Sequence, residues 1–170
     1  MKPLNALTRR RFLATSIAAS AAVLLSGCGF QLRGRDSLPT LPTLALEGDN
    51  NSAVAQQLTT RLRQLGTQVE PGAPWRVTLG APSLVERRLG GDGRASREHE
   101  LTLSISLSVQ ERASNAYHIN NSTLSSSSRI RVNDDDLLNR ESLFAEAEQT
   151  LARELSQRII ERLANVEGMQ

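Results

Sequence analysis

Apolar and polar residues alternate without a break from His99 to Val109. Leu101, Leu103, Ile105, Leu107 and Val109 take one parity, and Thr102, Ser104, Ser106 and Ser108 take the other. A period of two over this length predicts a strand with one buried and one wet face. Trp75, Val77 and Leu79 alternate with Arg76 and Thr78 in the same way, and this strand is expected to run on through Leu84 and Val85. Tyr117 to Val132 forms a second long strand candidate, mostly Ser, Thr and Asn, ending in Arg129-Ile130-Arg131-Val132. Shorter strands are expected at Thr43–Glu47 and, briefly, at Thr67–Glu70.

The period changes to 3.6 in two places. Val54, Leu58, Leu62 and Leu65 recur at helical spacing between Ser52 and Gly66, with Arg61 and Arg63 outside. Phe144, Ala147, Leu151, Leu155, Ile159 and Leu163 keep one apolar stripe on a long C-terminal helix. Asp134, Asp135 and Asp136 precede it, negative charge where a helix N-terminus favours it. The pattern predicts an α+β fold: a two-layer sandwich in which a roughly four-stranded, mostly antiparallel or mixed sheet packs on two amphipathic helices. The opposite sheet face, lined with Ser, Thr and Asn, can stay wet or meet a polar partner.

The first 27 residues read differently. Basic residues lead, ending in Arg9-Arg10-Arg11, and an apolar stretch follows from Phe12 to Leu25. As a helix that stretch rises only about 21 Å, too short for a hydrocarbon core of about 30 Å. This is the layout of a secretory signal peptide. Leu25-Ser26-Gly27-Cys28 then matches the lipobox of bacterial lipoproteins, with the thiol as acyl acceptor. Cys28 is therefore expected to carry N-palmitoyl and S-diacylglycerol groups. At about 0.8 kcal/mol per buried CH₂, several chains make a permanent anchor. Gly29 follows in place of the Asp that commonly retains such lipoproteins in the inner membrane, so the outer membrane is the expected destination. Thr8-Arg9-Arg10-Arg11-Phe12-Leu13 also resembles a twin-arginine export signal, and the sequence leaves that route and general secretion both open. The expected organisation is a removed signal peptide (1–27), an acylated N-terminus and tether (28–42), one α+β domain (43–166) and a short tail (167–170).

Removing the signal segment changes the charge. It takes away Lys2 and three arginines, leaving 16 Arg and no Lys against 18 acidic residues, a formal charge of −2. A nucleic-acid binder would show a basic excess. One Cys and two His assemble neither a disulfide nor a zinc site, so no metal or cofactor is expected beyond the lipid on Cys28. No nucleophile and base converge either. His99 reads as a satisfied histidine at a sheet edge, His118 lies in a polar strand, and Gly90-Gly91-Asp92-Gly93 lacks the Lys-Ser/Thr of a phosphate loop. The Ser125–Ser128 run has no elbow motif. The chain is not expected to be an enzyme.

Arginine is the remaining signal. Arg87, Arg88, Arg94 and Arg97 gather between Glu86 and Arg97 in an expected hairpin loop, with Arg129 and Arg131 on an adjoining strand. Arg presents a fixed fork of donors that suits phosphate. A solvated hairpin explains the cluster equally well.

Gly27-Cys28-Gly29-Phe30-Gln31-Leu32-Arg33-Gly34 resembles the mature N-terminus of the LPS-assembly lipoprotein family LptE. The order of strands, helices and arginine hairpin agrees in pattern over nearly all of the mature chain. The resemblance implies a lipid-anchored protein on the periplasmic side of the outer membrane. Such a protein sits in the lumen of the LptD β-barrel, helps that barrel assemble and binds lipopolysaccharide, with the six arginines as candidate phosphate contacts. The twin-arginine-like start departs from what the family leads one to expect. A pilotin or free accessory lipoprotein of another outer-membrane complex is the alternative within the binding class.

Overall fold

The computed structural model describes residues 40–90, 96–133 and 136–169, all within the unit Leu38–Gln170. The signal segment, Cys28 and Arg94 lie outside the described residues. The order is β1 (Leu44–Gly48), α1 (Ala53–Gln64), β2 (Trp75–Leu79), β3 (Ser83–Leu89), β4 (Ser96–Glu111), β5 (Tyr117–Asn133) and α2 (Leu137–Ala164).

Sixteen-residue β4 is the spine. One of its edges pairs antiparallel with β5 along almost its full length. The other edge is shared by β2, against Leu107–Glu111, and β3, against Glu98–Ser104. β1 adds to β2 in parallel, as α1 crossing between them requires. The sheet is mixed and open, with five strands where the pattern predicts roughly four, and at most four lie side by side because β2 and β3 share one edge of β4. The Thr67–Glu70 strand shrinks to a single parallel bridge, Leu44 to Val69.

β2 and β3 are one strand broken by a bulge. Leu79 stands opposite Leu107 and Ser83 opposite Ser104, so Gly80, Ala81 and Pro82 span two residues of β4. Gly80 still donates to the Ser106 carbonyl at 3.0 Å, but Pro82 has no N–H to give. The extra residue swaps the parity. Odd positions face the helices in β2 and the open side in β3.

Both helices follow the sequence periodicity. Ser52 caps α1, its Oγ accepting from the Ala55 N–H at 3.3 Å, and Asp136 caps α2 by accepting from the Asn139 N–H at 3.2 Å. α2 lies across β4 and β5, and α1 packs against α2. Leu58, Leu62, Leu101, Ile105, Leu107, Leu151, Leu155, Ile159 and Leu163 are fully buried between the layers. Each such side chain stabilises the fold by about 1.5–3 kcal/mol through burial alone. The core also reaches past the expected domain limits. Leu41 and Met169 are buried, and Leu41 N–H donates to Thr67 Oγ1 at 3.1 Å.

Candidate functional site

The open face of the sheet is polar along β4 and β5 and mixed on β3. Alternation along β4 sends Glu98, Glu100, Thr102, Ser104, Ser106 and Ser108 to this side. Directly opposed residues of antiparallel strands share a face. On β5 the register therefore adds Arg131, Arg129, Ser127, Ser125 and Thr123. β3 contributes Leu89, Arg87, Val85 and Ser83.

Charges gather at the two ends, with hydroxyls between them. At the end nearest β1, Glu47 pairs with Arg76 at 3.2 Å and with Arg112 at 2.6 Å. Arg76 also donates to Gln110 Oε1 at 2.9 Å, and Arg112 Nε to the Ala73 carbonyl at 2.9 Å. These guanidiniums are committed to holding the sheet. At the far end, Arg129 Nε meets Glu100 Oε1 at 3.3 Å and Arg131 Nη2 meets Glu98 Oε1 at 3.0 Å. Arg87 stands beside Glu100 on the other flank, exposed.

The expected arginine cluster is thus divided between two faces. The hairpin loop is shorter than Glu86–Arg97, because β3 runs to Leu89 and β4 begins at Ser96. Arg87, Arg129 and Arg131 share the open face. Arg88 and Arg97 sit on the helix side, opposite His99 and Val132 respectively. Sequence reasoning missed Glu98 and Glu100 as the arginines' partners. The cross-strand register that unites them has no local signature.

His99 is not at a sheet edge. It lies on the central strand, fully buried, with Nδ1 2.6 Å from Glu86 Oε1. Arg140 of α2 approaches the same Glu86 oxygen at 3.5 Å, its guanidinium 5.2 Å from the Phe144 ring centre. The Phe144 ring meets the imidazole edge-on at 5.7 Å. The cluster ties α2 to β3 and β4. His118 packs edge-on to Trp75 at 5.0 Å. Ser126 is buried and donates to Glu154 Oε2 at 2.6 Å, leaving Ser125 and Ser127 on the open face. Among the described residues no three His, Cys, Asp or Glu side chains group as a metal site, and no helix is long and apolar enough to cross a membrane.

The family model for LptE, lipopolysaccharide-assembly, matches residues 41–163. The chain belongs to the LptE family. That family is non-enzymatic and serves lipopolysaccharide assembly. Solved lipoproteins share the fold of this LptE-family chain. A lipoprotein B from Nitrosomonas europaea superimposes with a TM-score of 0.62 at 16% identity, covering 81% of this chain and 91% of that one. The rare lipoprotein B from Shewanella oneidensis gives 0.59 at 17%, with coverage of 74% and 96%. A minor lipoprotein from Acinetobacter baumannii gives 0.55 at 17%, with 72% and 90%. Among curated proteins, none matches the chain.

Proposed function

We propose that this chain is an outer-membrane lipoprotein, anchored through Cys28, that plugs the LptD β-barrel, assists its assembly and binds lipopolysaccharide on the way to the cell surface. Family membership supports the pathway. The observation that carries the finer reading is the two-sidedness of the sheet. One face is sealed by helices, and the other offers hydroxyls and ion pairs but no continuous apolar surface, which suits the polar lumen of a large barrel.

The direction of the sheet supports the same reading. The chain enters the fold at Thr40 and Leu41, beside Leu65 and Thr67, at the β1 end. β4 spans about 50 Å, at roughly 3.3 Å per residue, from the arginine-bearing tip at Ser96 back to this end at Glu111. The point where the chain enters and the three open-face arginines thus lie at opposite ends of the sheet, an arrangement that suits a path from the periplasm to the outer leaflet. Arg87, Arg129 and Arg131 are the first candidates for lipid A phosphates because they share the open face. Arg88 and Arg97 near the tip, and Arg94 by its place in the sequence, are the remaining candidates.

Purification of the tagged protein from membranes in mild detergent tests the proposal. A large β-barrel protein recovered in equal amount is expected. Recovery of the lipoprotein alone would reject the plug.

A further inference from the structure

Two glutamates stand where an anion-binding surface would be expected to exclude them. Glu98 and Glu100 occupy the open face of β4, between Arg131 and Arg129 on β5 and Leu89 and Arg87 on β3. We infer that these two carboxylates are built-in competitors for the phosphate that Arg87, Arg129 and Arg131 receive, and that they set how long it stays bound. The inference rests on the lipopolysaccharide-binding reading above and deepens it.

The geometry favours competition over support. Each of Arg129 and Arg131 meets its carboxylate through one nitrogen only, Nε in the first and Nη2 in the second. A guanidinium has five N–H donors, so most of each fork stays available. Side-chain exposure points the same way, more strongly for the first pair: 68% for Arg129 against 23% for Glu100, and 72% for Arg131 against 47% for Glu98. The carboxylate of Glu100 lies low on the sheet and the guanidinium heads rise above it.

An incoming phosphate meets the guanidiniums first and finds Glu100 beneath them and Glu98 at their side. It carries more charge than a carboxylate and more acceptor oxygens, so it outbids them. The displaced carboxylates remain within a few ångströms and repel it. Exposed ion pairs of this kind are weak, so their contribution to holding the arginines in place is small. Repulsion therefore outweighs preorganisation. A carrier that hands its cargo on gains from this, because an unopposed arginine row would hold the phosphate too long.

The test uses the full-length protein in detergent, at fixed ionic strength. Two probes are compared, bisphosphorylated lipid A and its acyl-free bisphosphorylated glucosamine disaccharide. The Glu98→Gln/Glu100→Gln double variant is expected to bind both probes about two- to thirtyfold more tightly, mainly through slower dissociation, with an unchanged melting temperature. The Arg129→Gln/Arg131→Gln variant is expected to lose affinity. If the arginine variant weakens binding while the glutamine pair leaves it unchanged or weaker, the competitor role is overturned and the lipopolysaccharide reading stands. If the arginine variant binds like the wild type, the assignment of these arginines fails and the competitor role fails with it. A gain confined to the acylated probe also overturns the inference, since competition acts on phosphate alone.

Discussion

Gly48 closes β1 at φ +94°, and a Cβ there would collide with the Leu79 carbonyl oxygen. Backbone strain and a clash with main chain combine, so Gly48→Ala should cost about 2 kcal/mol or more in urea unfolding. Glu86 gives a second residue-scale expectation. It satisfies the imidazole of a histidine with no exposed surface, so Glu86→Ala should cost about 1–3 kcal/mol by leaving Nδ1 without its acceptor. A melting temperature unchanged in that variant would show the contact to be incidental. The burial of His99 was half legible: its shared parity with Leu101 places it on the core side, but nothing local names Glu86 as its partner. The arginines were legible as a group and not as a surface. The Gly80–Pro82 bulge reverses the parity of β3, so Arg87 reaches the open face and Arg88 the helix side, whereas an unbroken strand would place them the other way round.

The elements themselves were read with fewer errors, because strong periods leave few choices. The stripe from Phe144 to Leu163 lies on α2 as expected, and its Ala147, Leu151, Leu155, Ile159 and Leu163 are buried. Leu155→Ala should therefore cost about 2–5 kcal/mol and lower the denaturation midpoint without changing the slope. β5 was found although its pattern is weak in apolar residues. Its parity is carried by Leu124, Ile130 and Val132 on the helix side, with Ser126 filling a position that an aliphatic residue would normally hold. Among the described residues, α2 also hydrogen-bonds this strand: Glu154 accepts from Ser126 Oγ, and Arg158 donates to the Ser125 carbonyl at 2.6 Å. The break between β2 and β3 escaped the sequence reading, since alternation continues on either side of it and only its phase changes. Thr67–Glu70 was too short for propensity to decide, and tertiary context left it one bridge.

At the scale of the whole molecule, the expected two-layer α+β sandwich is present with its mixed sheet, and the family match covers residues 41–163. The proposed anchor residue, Cys28, precedes this match in the sequence. Cys28→Ala should leave an unprocessed precursor that takes up no labelled fatty acid, and normal acylation of that variant would refute the lipobox reading. The domain should still unfold cooperatively, because its buried residues run from Leu41 to Met169. The shared edge of β4 has one more consequence. Where β2 pairs, Trp75, Val77 and Leu79 are buried, but where β3 pairs, six of seven residues are exposed. The edge of the spine thus passes from a partner strand held by packing to one, β3, held almost entirely by its ladder and the Glu86 contacts. Stability should fall along it in that direction. In native-state hydrogen exchange the amides of Ser83–Leu89 should open through a local fluctuation, orders of magnitude faster than those of Trp75–Leu79, which should wait for global unfolding. The β3 edge can then open and re-pair many times while the β2 edge of the same sheet stays closed.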